Sequence, residues 1–387
     1  MKRSIKIYFL PVLALTAVLL GSCSDWTDSE SVDISRPSLE EQNPALYAQY
    51  LAALRAYKAS EHKLTFVMME NRAGLAPIAQ NQRLTAYPDS VDFICMTHPE
   101  NLAPEYSDQM AEVRKKGTRV VCEIDYARIE SEWEALQAPE TDEPETDEPE
   151  TDEPETPGDT ESGNATDGSQ DDGDGSEGDT TEPADDSAFL AFCRERVEAL
   201  TASCERYGFD GVTFTYDGPV LSSLTPEQTT LFAGRLGVVY EVLKSWHAAH
   251  PEKLLFFRGG PHKLADCSLL SECSYVIVMA RSATSREELT VEMYRACVEG
   301  VPTDRLIIGV TAPALDGSDE LGYFSQTDAA GKPLSAIVGA ASWVLEPSAY
   351  DKAGLAIDRA WNDYYDLNRI FPNIRKAIDI MNPVPEN

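Results

Sequence analysis

Positive charge is scarce in this chain. It carries 32 lysines and arginines against 66 acidic residues, a formal net charge of -34. Phosphate contacts are made by Lys and Arg, so the balance argues against a nucleic-acid partner. Histidine is rarer still, five in 387 residues, and no set of histidines and cysteines reproduces a four-ligand zinc pattern. The eight cysteines form no Cys-x-x-Cys pair, which removes the usual zinc and thioredoxin-like signatures. No Gly-x-Gly-x-x-Gly follows the first strand-like run, so a dinucleotide fold lacks its fingerprint. No apolar run reaches the ~20 residues that a membrane-spanning helix needs. No cofactor and no metal are expected.

What is present begins with an export signal. Lys2, Arg3 and Lys6 form a basic start, and the apolar run "IYFLPVLALTAVLL" follows. It ends in "LGSC", with small residues before Cys23. That layout is similar to a lipoprotein signal, in which residues 1–22 are removed and Cys23 is acylated. The acids of "SDWTDSES" just after Cys23 resemble the surface-export tethers of lipoproteins from glycan-degrading Gram-negative bacteria. The expectation is an outer-membrane lipoprotein at the cell surface, touching the membrane through its lipid anchor only. Residues 23–60 then form a tether and an N-terminal helix, "SLEEQNPALYAQYLAALRAYKAS".

Negative charge is concentrated in one place. Pro139 to Asp186 holds 21 of the acids and no lysine or arginine. A segment so poor in apolar residues cannot offset its ordering entropy by burial. Residues 138–187 therefore read as a disordered acidic insertion; "DDGDG" within it faintly resembles a calcium loop without the closing Glu.

The remainder, residues 61–387, alternates apolar runs with helical patterns. "KLTFVMMENR", "VDFICMTH", "TRVVCEIDYA", "FDGVTFTYD", "KLLFFRGG", "YVIVMARS", "RLIIGVTAP" and "SAIVGAASWVLE" read as eight strands. Runs this apolar suit a parallel sheet buried on both faces. Helices fall between most of them. Thr225, Pro226 and Gln228 start one with a capping box, and Ser285 with Glu288 starts another. A long last helix covers "DRAWNDYYDLNRIFPNIRKAIDIM". The pattern fits a (β/α)8 TIM barrel, with a doubly wound open sheet as the alternative. Among the cysteines, Cys193 and Cys204 share a helix roughly 16 Å apart and cannot bridge; Cys267 and Cys273 are close enough in sequence to leave pairing open.

The stretch "FDGVTFTYD" carries the chemistry. It resembles the fourth-strand motif of glycoside hydrolase family 18, the chitinases and endo-β-N-acetylglucosaminidases, which reads Asp-Gly-x-Asp-x-Asp-x-Glu. Asp210 and Gly211 match its start. Its two inner acids fall on Thr213 and Thr215, and its proton-donating Glu falls on Asp217. Period-2 geometry points residues 213, 215 and 217 into the barrel and Val212, Phe214 and Tyr216 toward the helices. The resemblance implies that the last acid protonates the leaving oxygen while the Asp before it holds the substrate's own 2-acetamido nucleophile, an exception to the two-carboxylate scheme. Thr215 brings no charge to that task. Asp217 stops one carbon, ~1.5 Å, short of a Glu. The implied protein binds N-acetylglucosamine-containing glycans with catalysis impaired, and the partners it implies include outer-membrane glycan-uptake proteins. An active hydrolase using Asp217 as acid, or a structural subunit without a sugar site, are the alternatives.

Ligand contacts of such barrels lie at strand C-terminal ends. Those positions include Glu123, Asp125 and Tyr126 on the third strand, Arg258 on the fifth, and Met279 and Arg281 on the sixth. Trp343, on the run read as the eighth strand, offers an aromatic plane for a sugar face, or else core packing. Glu123 and Asp125 are replacement acids or an ion-paired and an exposed residue. Arg258 and Arg281 either neutralise these acids or meet an anionic sugar.

Overall fold

The computed structural model describes residues 39–138 and 186–383. The expectations for residues 1–22, Cys23, the tether up to residue 38 and the acidic segment 139–185 lie outside the described residues. The chain divides into two units, residues 1–51 and 52–387. The described part of the first holds a short helix, Leu39–Gln42, and the first half of α1 (Pro44–Ala59).

The second unit is a closed barrel. Strands β1 (Leu64–Met69), β2 (Phe93–Met96), β3 (Arg119–Asp125), β4 (Gly211–Tyr216), β5 (Leu254–Gly259), β6 (Tyr275–Met279), β7 (Leu306–Thr311) and β8 (Lys352–Asp358) pair in chain order, and β8 closes onto β1. All eight pairings are parallel. Around them run α2 (Pro104–Lys115), α3 (Tyr126–Gln137), α4 (Ser187–Tyr207), α5 (Pro226–Ala249), α6 (Arg286–Ala296), α7 (Ala336–Val344) and α8 (Pro372–Met381). This is the (β/α)8 TIM barrel that the sequence implies.

Two expectations are corrected. The run Ser335–Glu346 is not the eighth strand but helix α7, and the eighth strand is the later "KAGLAID". Small residues let α7 lie close to its neighbours; eight of its nine positions are buried. The expected last helix is helical only over α8; its first part is a 3-10 turn and a small hairpin, Tyr364–Asp366 with Arg369–Ile370. A second hairpin, Tyr323–Thr327 with Pro333–Ser335, lies between β7 and α7.

Capping follows the sequence closely. Thr225 and Gln228 form the full box at α5. At α6 only half forms: Ser285 Oγ accepts from the Glu288 amide (3.2 Å), while the Glu288 carboxylate takes the Thr284 amide (2.6 Å) instead. The seven cysteines among the described residues are free thiols, Cys267 and Cys273 included.

The barrel interior is a packed apolar plug. Phe66, Phe93 and Phe256 meet with ring centroids 5.1–6.2 Å apart, joined by Met68, Cys95, Val121, Ile277, Ile307 and Ala356. Val212, Phe214 and Tyr216 face the helices and join the outer core. The retained start of the β4 motif is structural. A Cβ on Gly211 would lie 2.1 Å from the Leu254 carbonyl oxygen, so β4 and β5 approach only through a glycine. Asp210 Oδ2 accepts the Val120 amide (2.7 Å) and Arg114 Nε (3.0 Å), tying β4 to β3 and α2.

Candidate functional site

The inward row of β4 ends at the barrel mouth, where the plug gives way to polar groups. Thr213 and Thr215 are buried and Asp217 stands at the rim. Parallel register sets Thr213 beside Glu123 on β3, and Thr215 between Asp125 on β3 and Arg258 on β5. Thr215 Oγ1 donates to Glu123 Oε1 at 2.7 Å. A carboxylate is thus present beside position 215, contributed by the neighbouring strand.

Glu123 begins a chain of alternating charges. Its Oε1 lies 3.4 Å from Arg258 Nη1 and its Oε2 3.7 Å from Arg128 Nη2. Arg258 Nη2 reaches Asp358 Oδ1 at 2.8 Å. Asp358 Oδ2 lies 3.4 Å from Arg281 Nε, and Arg281 Nη1 lies 3.4 Å from Asp217 Oδ2. Asp217 Oδ1 also meets Lys263 Nζ. Exposure rises along the chain, from about 5 % for the Arg258 side chain to 40 % for Arg281 and Asp217.

Burial sets the electrostatics of the inner end. It pushes the Glu123 carboxyl above its ordinary value, against the pull of Arg258 and the Thr215 bond. Burial also opposes the Arg258 charge, but Asp358 and Glu123 outweigh it and hold the guanidinium ionised. Breaking one member of such a buried pair typically costs about 3–5 kcal/mol, because the partner is left uncompensated.

The structure brings together Thr215, Asp217, Glu123, Arg258 and Arg281. Met279 joins the lining of the barrel interior; a Cβ on Gly309 opposite it would lie 2.3 Å from its sulfur, so the glycine makes the room. Asp125 caps α3, accepting the Ala127 amide at 3.1 Å. Two candidates are placed elsewhere. Tyr126 is buried on the outer side of the barrel, edge-on to Tyr216 at 5.4 Å. Trp343 sits on α7, buried, with its indole nitrogen donating to Thr290 Oγ1 at 2.9 Å. Lys352 Nζ lies 3.9 Å over its ring. Lys352 opens β8, so Trp343 lies toward the end of the barrel opposite the mouth.

Sequence reading missed Asp358, Lys263 and Arg128. Asp358 ends the true β8, and reading "KAGLAID" as a strand would have found it. On β7, the Thr311 hydroxyl is buried without a hydrogen-bond partner among the described residues.

Comparison with known proteins agrees with this architecture. The sequence pattern of "Glycoside hydrolase family 18, BT1044-like" matches residues 27–162 and 163–380. Among solved structures, a selenomethionine Glu-to-Gln variant of BT1044 is 16 % identical with TM-score 0.58, over 90 % of this chain and 96 % of its own. An apo endo-β-N-acetylglucosaminidase from Cordyceps militaris is 15 % identical with TM-score 0.54, over 86 % of this chain and 95 % of its own. An Asp-to-Asn, Glu-to-Gln variant of that enzyme, solved with fucosyl-N-acetylglucosamine-Asn, gives the same values. No curated protein matches the sequence. The match over most of its length places the chain in glycoside hydrolase family 18, in the BT1044-like group.

Proposed function

We propose that this protein binds N-acetylglucosamine-containing glycans, of the N-glycan or chito-oligosaccharide kind, with hydrolysis lost or strongly reduced. One observation carries the reading: at the mouth of a family 18 barrel, Thr215 stands in the inner row bonded to Glu123, and Asp217 faces Lys263 and Arg281. A neutral hydroxyl cannot balance the positive charge that develops on a substrate-assisted intermediate. Loss of one preorganised electrostatic partner costs about a hundred- to a thousand-fold in rate. Asp217 is both too short and already paired with cations on both oxygens. A misplacement near 1 Å costs about another hundred-fold. The Cordyceps enzyme crystallised with fucosyl-N-acetylglucosamine-Asn supports an N-glycan as the ligand class.

The same reading includes export: residues 1–22 removed, Cys23 acylated, and the barrel displayed on the outer membrane beside glycan-uptake proteins. The layout of residues 2–23 supports it, and mass spectrometry of the N-terminal peptide tests it.

The decisive experiment incubates the full chain with an N-glycoprotein and with chito-oligosaccharides. Retardation in affinity electrophoresis without released glycan is expected. Brisk release, abolished by Asp217→Asn, would replace the proposal with an active endo-β-N-acetylglucosaminidase. Neither binding nor release would favour a purely structural subunit.

A further inference from the structure

A cavity of about 180 Å³ lies between the two small hairpins. One hairpin follows β7 and the other follows β8, so the cavity opens on the same face of the barrel as the mouth. It shares no residue with the charge chain.

Its walls combine aromatic rings with polar groups. Tyr323 and Tyr365 line it and are 41 % and 37 % exposed. Ser335 also lines it, 8 % exposed, with its hydroxyl buried and unpartnered among the described residues. Ser335 stands at the N-cap of α7 yet makes no side-chain cap bond. A serine there ordinarily takes an amide of the first turn, so this hydroxyl is left for something else. Asp328 Oδ1 accepts the Ala330 and Lys332 amides (2.8 and 2.9 Å), which fixes the carboxylate in the cavity wall. Lys332 and Lys376 complete the lining.

These features suit a polyhydroxylated ligand with a flat apolar side. A tyrosine ring covers the CH face of a sugar, while a carboxylate, a hydroxyl and two ammonium groups serve ring hydroxyls in both donor and acceptor senses. At about 180 Å³, against the roughly 10–15 Å³ that holds one water, the cavity has room for one pyranose ring. An apolar ligand would desolvate the ammonium groups of Lys332 and Lys376 and offer them no partner.

We infer that this cavity is a second saccharide-binding site, taking one pyranose unit of a glycan on Tyr323 and Tyr365. The inference extends the glycan-binding reading but is tested apart from the mouth. Protein labelled selectively at tyrosine is titrated with millimolar mannose, galactose, N-acetylglucosamine and N-acetylneuraminic acid, and the ring resonances of Tyr323 and Tyr365 are followed. At least one sugar shifts both signals. With Tyr365→Ala the Tyr323 shift disappears, and with Lys376→Ala it weakens several-fold, while the fold, read by circular dichroism, is retained. If no sugar moves either signal, or if the Tyr323 shift persists unchanged in both variants, the inference is overturned, whether or not the mouth binds glycan. A branched N-glycan adds an independent readout: Tyr365→Ala weakens its retention several-fold and leaves that of a linear chito-oligosaccharide unchanged. Loss of both together would mean that the variant damages the mouth, and would overturn the separate site.

Discussion

At the N-terminal end of the barrel, several charged side chains are anchored on backbone groups; at the mouth the charged side chains bond mainly to one another. Asp210 takes the Val120 amide and Asp92 the Thr65 amide, at 2.7 and 2.8 Å. Lys58 donates to the Val91 carbonyl (2.6 Å), Lys253 to that of Phe209 (2.6 Å), and Lys352 to those of Trp343 and Glu346 (both 2.8 Å). Every one of these partners is fixed by the backbone that carries it. At the mouth, Glu123, Arg258, Arg281, Asp217 and Lys263 are satisfied by side chains, and Asp358 by Arg258, Arg281 and the Arg359 amide (3.1 Å). Side-chain partners can rotate away and be exchanged for ligand groups, and the exposed outer members are the ones free to do so. The same sequence motif spans both regimes: Asp210 and Gly211 staple the fold, whereas Thr215 and Asp217 are where the acids of the family motif are replaced or shortened.

The largest effect expected is on rate. Thr215→Asp with Asp217→Glu restores the acid pair of the family motif, but the carboxylate introduced at position 215 would meet Glu123, whose Oε1 lies 2.7 Å from the Thr215 hydroxyl. Two carboxylates sharing one site cannot both ionise freely. The double variant therefore stays silent, and adding Glu123→Gln raises glycan release by about a hundred-fold or more, the worth of one electrostatic partner. Released glycan measured by mass spectrometry checks this. Equal activity of double and triple variants would show that Glu123 does not control the site.

Next in size is the innermost member of the mouth. Arg258→Met leaves Glu123 and Asp358 without their shared cation and lowers stability by about 3–5 kcal/mol, read from urea denaturation. Its depth makes it behave like a residue of the other end, which sharpens the comparison: exchangeability follows exposure along the chain. Asp210→Ala comes third. It removes the Val120 amide bond and the Arg114 pair, both partly exposed, at a cost of about 1–2 kcal/mol, with glycan retention unchanged. A loss of retention with stability intact would break the division between the two ends.

Much of this is legible in the sequence, for local reasons. The period-2 alternation of β4 follows from residue spacing alone, and it places Thr213, Thr215 and Asp217 on the inner row without reference to the rest of the fold. The eighth unit is misleading because "SAIVGAASWVLE" is short and apolar, and such a run suits a buried helix as well as a strand. "KAGLAID" has one Ile among Gly, Ala and Leu, little to mark it as β. That single exchange moves Trp343 from the mouth to the helical layer and conceals Asp358. The charge chain is illegible for another reason. Its members lie on β3 and β8, on β5, and in the segments just after β4, β5 and β6, and only barrel closure brings them within reach.

The smallest effect expected is a shallow pH dependence arising at the N-terminal end. His62 Nε2 lies 3.0 Å from Asp92 Oδ1, and this hydrogen bond raises the imidazole pKa above its ordinary 6.5. Its stabilisation is complete below 6.5 and is lost as pH rises through the raised value. Lys58, which also feels the charge of Asp92, is shifted the other way: burial lowers its pKa from 10.5 to about 8. The cost of burying its charge is present below about 8 and is relieved as pH rises toward 10.5. Stability therefore falls above neutrality and recovers at alkaline pH, with a minimum between the two titrations. Urea midpoints across that range check it: His62→Gln removes the falling limb and Lys58→Met the rising one. Because neither group belongs to the mouth, glycan retention does not follow the same curve; if it does, the two ends of the barrel are coupled and their separation fails.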